Sequence, residues 1–178
     1  MLERITPIVL TYNEAPNIER TLHGLRWAKE IVLVDSFSTD ETLELVGQFK
    51  NVRVIQREYD GDASQWQYAL TQTEISTPWV LAMDADWVSD DAFRKELASL
   101  EPDEATSAYL ISFDYRVYGA VIRGSQYPPV PALFRRDRGG YIQVGHGHRI
   151  HVEGPIQNLR QRLVHDDRKS LKRWLWSQ

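Results

Sequence analysis

Hydrophobic residues follow two alternating patterns over the first hundred positions of the chain. Short apolar runs rich in leucine and β-branched residues alternate with segments whose apolar positions recur at helical spacing. This alternation predicts a parallel sheet covered by helices. The apolar runs are nearly continuous, which favours strands buried on both faces. We predict four such strands, at residues 5–10, 30–36, 52–55 and 79–83.

Apolar stripes at helical spacing predict the helices that accompany these strands. Ser38 and Glu41, three residues apart, match a capping box and predict that a helix begins there. The acidic residues within 89–91 are expected to cap the helix that follows them. Core packing is the expected role of the stripes, which comprise Ile18, Leu22 and Leu25; Leu43 and Val46; Trp66 and Leu70; and Phe93, Leu97 and Leu100.

The pattern changes after residue 102. Residues 108–118 alternate in polarity and predict one long strand, whereas residues 119–147 are rich in Gly, Pro and Arg and predict mainly loops. Residues 169–178 predict the start of an amphipathic helix, with Leu171, Trp174 and Leu175 on one side.

The composition is that of one globular domain. The chain has 178 residues, of which 42% are hydrophobic and 26% charged, so a substantial core is expected. It has no cysteine, which excludes disulfides and thiolate metal sites and permits a cytoplasmic location. The apolar run near the amino terminus is too short for a signal peptide or a spanning helix. We therefore expect a cytoplasmic protein.

Charge is distributed unevenly along the chain. Residues 1–100 carry nine Lys or Arg against 17 Asp or Glu, and residues 101–178 carry 12 against eight. The overall formal charge of −4 therefore combines an acidic first part with a basic second part. The two parts are expected to face different chemical partners.

Polar residues follow three of the predicted strands directly. Ligands of open α/β sheets bind at the carboxyl ends of the strands, so these three junctions are the candidate site. Asp84 and Asp86, which flank one small residue, can aim at a single divalent cation whose other positions phosphate oxygens fill. The alternative is a solvated turn with capping acids. The junctions read Thr11-Tyr12-Asn13-Glu14, Asp35-Ser36-Phe37-Ser38-Thr39-Asp40 and Asp84-Ala85-Asp86.

Together, the three junctions resemble the signature of glycosyltransferase family 2, and more closely the subgroup that acts on lipopolysaccharide cores and related glycoconjugates. The resemblance extends over about residues 5–100. It implies a Rossmann-like GT-A fold, with a mostly parallel central sheet flanked by helices. One glycosyltransferase domain would span 1–178, with a nucleotide-sugar-binding half at 1–100 and a loop-rich acceptor half at 101–178.

The resemblance also implies an activity and site residues. The reaction would transfer a sugar, with inversion, from a nucleotide-diphosphate sugar to a glycan or lipid-linked acceptor, using Mn²⁺ or Mg²⁺. The bound cation would stabilise the charge that develops on the leaving diphosphate. By position, Thr11, Tyr12 and Glu14 would border the base and ribose, Asp35 would bind the base, Asp84 the ribose or metal, and Asp86 the metal and diphosphate.

A further part of the resemblance lies before the fourth strand. The run Gln65-Trp66-Gln67-Tyr68-Ala69-Leu70 is similar to a Gln-Lys-Asn-x-Ala-Leu stretch of the subgroup, from which Trp66 and Gln67 depart. Trp66 stands where the subgroup has a lysine, so the chain lacks a positive charge that would have contacted the diphosphate. Gln65 is implied as a donor contact, and the alternative is an ordinary exposed helix residue.

The catalytic base is sought among the histidines and the glutamate of residues 145–154. Members of the subgroup usually carry a His-Glu pair there, whereas here no Glu directly follows a His. An inverting transfer needs a base for the acceptor hydroxyl, and Glu153 and His148 are the candidates. Strand alternation from His146 would put His148 on the same face and His151 with Glu153 on the other. Each His could instead be an ordinary polar residue, and one of them could be a metal ligand.

Basic residues are concentrated in the second part of the chain, and Trp174 and Trp176 follow them. They predict peripheral contact with an anionic membrane, at the inner face of the cell membrane, or with an anionic lipid-linked acceptor. The alternative is a solvated face. Nucleic acid is not expected as a partner, because the whole chain is acidic and carries no nucleic-acid-binding module.

Two other functions compete with sugar transfer. A sugar nucleotidyltransferase would need a glycine-rich loop with a basic residue after the first strand, and residues 11–16 supply neither. A non-catalytic module that binds nucleotide sugars or glycans would keep the donor half and lack the base. The irregular His-Glu pattern leaves that second alternative open.

Overall fold

Strands and helices alternate up to residue 99, and strands dominate the described residues after it. The computed structural model describes residues 1–117, 119–123, 128–145 and 147–170. The helices are α1 (Ile18–Gly24), α2 (Thr42–Val46), α3 (Asp62–Thr71) and α4 (Asp91–Ser99). The strands are β1 (Ile5–Thr11), β2 (Ile31–Asp35), β3 (Val52–Gln56), β4 (Trp79–Asp84), β5 (Trp87–Val88), β6 (Ala108–Val117), β7 (Ala120–Val121), β8 (Val130–Arg135), β9 (Gly139–Val144), β10 (Gly147–Val152) and β11 (Ile156–His165).

Among the described residues, a nine-stranded sheet is ordered β3-β2-β1-β4-β8-β6-β11-β5, with β7 paired to β6. β1 lies parallel between β2 and β4, and β3 lies parallel to β2. β8 is antiparallel to both β4 and β6, so β6 and its parallel neighbour β11 point the same way as β1. The carboxyl ends of these parallel strands therefore lie along one side of the sheet, which we call the carboxyl edge.

Helices cover both faces of this mostly parallel sheet. α1 and α4 pack on one face through Leu22 and Phe93, and α3 packs on the other through Trp66. An antiparallel hairpin of β9 and β10 covers α3, with Tyr141 stacked on Trp66 at a centroid distance of 5.2 Å. The α/β prediction with a central, mostly parallel sheet is confirmed.

The four strands predicted in the first hundred residues are present within one residue of the expected ends. β1, β2 and β4 are buried almost throughout, as continuous apolar runs predict. β3 is different, because it forms the edge of the sheet and its residues are only partly buried or exposed. The predicted strand at 108–118 corresponds to β6.

The capping predictions had opposite outcomes. Asp90 caps α4 by accepting a hydrogen bond from the Phe93 amide at 2.8 Å, as expected. The capping box at Ser38 and Glu41 is wrong, since α2 begins at Thr42 without a side-chain cap. The Ser38 hydroxyl donates to the carboxylate of Asp35 and accepts from the loop after β1. The Ser38 hydroxyl, which the local sequence pattern assigned to a helix cap, therefore makes a tertiary hydrogen bond to Asp35 instead.

The prediction that loops dominate residues 119–147 is also wrong. β8 pairs with two strands of the main sheet, and β9 begins in a glycine pair. A Cβ at Gly139 would overlap the Phe134 ring, so glycine permits the close approach of β9 to β8. Gly139 therefore allows close packing within a strand. The sequence pattern predicted a loop because glycine is frequent in turns.

The part of the chain described here holds no helix long and apolar enough to cross a membrane. The amphipathic helix predicted for residues 169–178 lies almost entirely outside the described residues, which end at Ser170. That prediction, and the membrane contact that depends on it, stay predictions.

A buried carboxylate joins the segment after β11 to the start of α1. Asp166 accepts hydrogen bonds from the guanidinium of Arg20 at 3.0 Å and from the Gly119 amide at 3.0 Å. Arg20 also donates to the Asp166 carbonyl at 2.7 Å. The Asp166 side chain is 3% exposed. These bonds attach the last described residues to the first helix of the fold.

We expect Asp166→Ala to lower the free energy of unfolding by roughly 3 kcal/mol, because the half-buried Arg20 loses its carboxylate partner. Urea denaturation measures the change. Asp114→Ala is the matched control, since Asp114 pairs with Arg162 at 3.3 Å where both side chains are about half exposed. That control should lose less than about 1 kcal/mol. Equal losses in the two variants would contradict the structural role of Asp166.

Candidate functional site

The register of β1 with its two neighbours brings the predicted site residues together at the carboxyl edge. Thr11 pairs with Asp35 of β2, and Leu10 pairs with Asp84 of β4. The ends of three parallel strands therefore lie side by side, about 4.8 Å apart from one strand to the next. Most of the residues predicted from the three junctions share this edge.

Asp35 is fully buried at the end of β2, where it binds the surrounding loops. Its carboxylate accepts from the Thr11 hydroxyl at 3.0 Å, the Ser38 amide at 2.9 Å and Gln56 at 3.3 Å. The Ser38 hydroxyl donates a further bond. Each carboxylate oxygen thus accepts two protein donors. Through these hydrogen bonds Asp35 stabilises the loops at the carboxyl edge. Its contact with a nucleotide base stays a prediction.

The loop after β1 is fixed by hydrogen bonds to the loop after β2. Asn13, at a left-handed φ of 54°, accepts from the Thr39 amide at 2.8 Å. The Glu14 amide donates to Thr42 at 2.8 Å. Tyr12, which precedes both residues in the chain, has 52% of its surface exposed at this edge. The loop is therefore ordered while its aromatic ring remains accessible.

Asp84 and Asp86 bring two carboxylates to the end of β4. Burial and the neighbouring charge of Asp86 raise the pKa of Asp84 to about 7. Asp86 lies 3.1 Å from the Nε2 atom of His165 through its Oδ2 atom. Its Oδ1 atom is buried and, among the described residues, accepts no hydrogen bond. An unpaired buried carboxylate oxygen is costly, so an electropositive partner such as a cation fits this position.

His165 is a site residue that the sequence analysis missed. It is the last residue of β11, beside Tyr115 of β6 and Trp87 of β5. Burial opposes its protonation, but the hydrogen bond and charge of Asp86 prevail and raise the pKa of His165. The signal was available in principle. Leu159 and Leu163 are buried in a strand that ends at His165, so the strand-end rule used for the first three junctions also applies here.

Glu14 lies at the same edge and contacts the end of the described chain. It forms an ion pair with Lys169, and Asn17 donates to it at 2.9 Å. Burial raises the pKa of Glu14, against the opposing effect of the Lys169 charge. Asn17 also donates to Asp167 at 2.8 Å. The Lys169 side chain is 18% exposed and lies at the carboxyl edge through its pairing with Glu14.

Gln65 is buried near the start of α3, so the alternative of an exposed helix residue is wrong. Its amide donates to the Ser36 hydroxyl at 3.0 Å and its carbonyl accepts from Arg57. Arg57 also forms two bonds with Asp60, at 2.8 and 2.7 Å. Gln65 therefore joins the ends of β2 and β3, and a direct donor contact stays a prediction.

His148 reaches the site from the hairpin of β9 and β10. Its ring lies against Trp66 and Tyr141, at centroid distances of 6.0 and 5.6 Å. Its Nδ1 atom is 3.9 Å from a carboxylate oxygen of Asp62 at the start of α3. Burial lowers the pKa of His148, although the Asp62 charge partly opposes this. The charge of Asp62 also raises the pKa of Asp84, which places this histidine in the same electrostatic neighbourhood.

Glu153, the other candidate base, lies elsewhere. It is exposed, and its amide donates to the Arg138 carbonyl at 2.8 Å at the base of the hairpin. The strand leading to Arg138 ends beside Trp79, the first residue of β4, at the opposite side of the sheet from Asp84. The structure thus separates Glu153 from the carboxylates. His151 is exposed on the opposite face of β10 from His148, and His146 lies outside the described residues.

No three His, Asp or Glu side chains in the described ranges converge closely enough to enclose a metal ion by themselves. The charges of Asp86 and His165 nevertheless both act on the pKa of Asp84, and one Asp86 oxygen has no hydrogen-bond partner among the described residues. This is a partial donor set. A cation held here would need further oxygen ligands, which a diphosphate supplies in many Mg²⁺ sites.

Comparison with known proteins agrees with this arrangement. Residues 6–151 match the model of the family described as glycosyl transferase family 2. The lipopolysaccharide core biosynthesis glycosyltransferase LpsC of Rhizobium meliloti (strain 1021) is 31% identical over 169 residues, which are 88% of this chain and 60% of that protein. An uncharacterized glycosyltransferase of Rickettsia felis is 31% identical over 76% of this chain and 46% of its own length. The chain thus spans 60% or less of these relatives.

Solved structures share the fold. TarS 1-349 of S. aureus in complex with UDP-GlcNAc superposes with a TM-score of 0.67 over 94% of this chain and 59% of that chain, at 19% identity. The mannosyltransferase PcManGT of Pyrobaculum calidifontis, in complex with GDP-Man and Mn²⁺, is 29% identical with a TM-score of 0.51, over 61% of this chain and 35% of its own. The match to the family model covers most of the residues that build the carboxyl edge. The chain belongs to glycosyl transferase family 2.

Proposed function

We propose that this chain transfers a sugar from a nucleotide-diphosphate sugar to a glycan or lipid-linked acceptor, by inverting displacement and with a divalent cation. The observation that carries the proposal is the Asp86–His165 contact at the carboxyl edge, where the segment after β4 meets the end of β11. The similarity to LpsC favours a lipopolysaccharide core glycan as the acceptor. Donor, metal and acceptor are each open to direct test.

The residues present fit a Mn²⁺ or Mg²⁺ ion. Asp86 offers a buried oxygen without a partner among the described residues, and its other oxygen contacts an imidazole that is itself a possible ligand. Burial, together with the neighbouring charge of Asp86, raises the pKa of Asp84, and a cation bound there would favour the charged carboxylate. A cation bound there would stabilise the negative charge of the leaving diphosphate. PcManGT, which shares the fold, is shown with Mn²⁺.

Residues of the first hundred positions would bind the donor. Asp84 and Asp86 would face the ribose and diphosphate, and Tyr12 would border the nucleoside at the exposed end of β1. Thr11 and Asp35 are bonded to each other at 3.0 Å, so they support the floor beneath the nucleoside. Glu14 and Gln65 hold the adjoining loops in place through Lys169 and Ser36.

His148 is the base that the geometry favours over Glu153. An attacking hydroxyl must lose its proton as it bonds to the anomeric carbon, and a neutral imidazole accepts that proton. The lowered pKa of His148 keeps the ring neutral near pH 7. Asp62, 3.9 Å from Nδ1, would stabilise the imidazolium that forms. This feature also favours an enzyme over a binding module that has lost its base.

We expect Asp86→Asn to reduce sugar transfer by about a hundredfold or more and to abolish the Mn²⁺ dependence of nucleotide binding, because the cation loses its charged ligand. Calorimetric titration with UDP and GDP, with and without Mn²⁺, measures binding, and product formation from UDP-GlcNAc and GDP-mannose measures transfer. Asp137→Asn, at an exposed turn, is the control. Retained Mn²⁺-dependent nucleotide binding in Asp86→Asn would contradict the metal assignment.

We expect His148→Gln to lower the turnover number by about a hundredfold while donor affinity stays within twofold, because proton removal is lost and binding is not. In the wild type, protonation of His148 should reduce the rate as pH falls, with the midpoint below 6.5 because burial lowers its pKa. That acidic decline should be absent from the residual activity of the variant. Steady-state rates between pH 5 and 9 provide the measurement.

The matched control for the base is His151→Gln, on the exposed opposite face of the same strand. It should retain the wild-type rate and pH profile. Should Glu153→Gln lose turnover while His148→Gln retains it, the assignment of the base would pass to Glu153.

A further inference from the structure

Phe37 has a backbone conformation that is unfavourable for a bulky residue. Its φ is 58°, in the left-handed region, and the residue is 49% exposed. Among the described non-glycine residues only Asn13 and Glu74 share a positive φ. Asparagine tolerates this region well, and Glu74 lies in the turn after α3, away from the carboxyl edge. Phe37 therefore combines backbone strain with an exposed aromatic ring at the candidate site.

The conformation of Phe37 is imposed by its neighbours. The amide of Ser38 donates to Asp35 at 2.9 Å, and the amides of Thr39 and Asp40 donate to the Asn13 side chain at 2.8 and 3.3 Å. The Ser36 amide donates to the carbonyl of Thr11 at 2.9 Å. Bonds on both sides hold the residue in the strained region. Strain that is maintained in this way at a ligand site is a reason to look for a function.

The position of the ring matches the path of the proposed donor. Asp84 and Asp86 follow β4, Tyr12 follows β1 and Phe37 follows β2, and these strands are neighbours in the order β2-β1-β4. Two strand spacings, about 10 Å, separate the end of β2 from that of β4. A nucleoside whose diphosphate lies at Asp86 would extend across β1 and bring its base to the end of β2.

We propose that Phe37 is a nucleobase-stacking residue of the donor site, with its ring against the face of the base. The inference rests on the proposed function, because it requires a nucleotide-diphosphate sugar. Phe37 is half exposed two positions after the buried Asp35, so its aromatic face is accessible to a flat ligand from solvent. Every base presents such a face, so stacking adds affinity without choosing among bases. Phe37 should therefore contribute similarly to UDP and GDP binding.

Four variants separate the ring from the backbone. Phe37→Ala removes the ring and keeps a side chain in the left-handed region, whereas Phe37→Gly also relieves the strain. Phe37→Tyr retains a stacking ring, and Phe37→Leu retains apolar bulk without one. Dissociation constants for UDP and GDP are measured by calorimetry in Mn²⁺, and melting temperatures are measured without nucleotide.

The expected loss is about tenfold in affinity for both nucleotides in the Ala, Gly and Leu variants, and less than twofold in the Tyr variant. The Gly variant should melt above the Ala variant and bind no better, so affinity would follow the ring and not the stability of the loop. The inhibition constant of inorganic pyrophosphate should be unchanged in all four variants. Loss of pyrophosphate binding by the same factor would mean a damaged loop and would overturn the proposal.

The outcomes also distinguish this inference from the function on which it rests. If the wild type binds neither UDP nor GDP in Mn²⁺, the proposed donor site fails, and nucleobase stacking fails with it. If the wild type binds either nucleotide and the Leu and Gly variants bind it equally well, stacking by Phe37 is wrong while the proposed function stands.

Discussion

The site depends on the parallel hydrogen bonding of β1 between β2 and β4. This pairing aligns Thr11 with Asp35 and Leu10 with Asp84, so three strand ends far apart in the chain emerge at one level. A shift of one residue would turn every side chain on a strand to the opposite face. The buried core fixes the register, because β1, β2 and β4 are buried almost throughout. Packing of apolar residues thereby sets the positions of polar ones.

Negative charge accumulates at the edge that this register creates. Asp86, Glu14 and Asp62 all lie within electrostatic reach of the buried Asp84, and burial makes their repulsion of its charge stronger. His165 and Lys169 compensate part of that charge from the end of the described chain. Such a site is less stable than a neutral one would be, and it is suited to a cation and a diphosphate bound together. The charges that suit this site to a cation and a diphosphate lower the stability of the fold. Packing in the rest of the core must offset that loss.

The second part of the chain completes the site by returning to the first. β11 brings His165 to Asp86, and Asp166 joins Arg20 of the first helix. The hairpin of β9 and β10 carries His148 over α3 to Asp62. The match to the family 2 model extends from the first strand into the hairpin, so it includes His148 and ends before His165. Basic residues of this part therefore also make contacts inside the fold, as Lys169 does with Glu14.

The sequence by itself determined the α/β class, the inner strands and the three polar junctions, because strand burial and strand-end chemistry are written in short local patterns. It could not determine contacts between distant segments. The Ser38 hydroxyl donates to Asp35 instead of capping a helix, and Gly139 packs inside a strand instead of forming a turn. His165 joins Asp86 across 79 positions, whereas Glu153 is carried to the far side of the sheet. Only the tertiary structure decides which strand ends meet, since pairing among distant strands depends on the whole core.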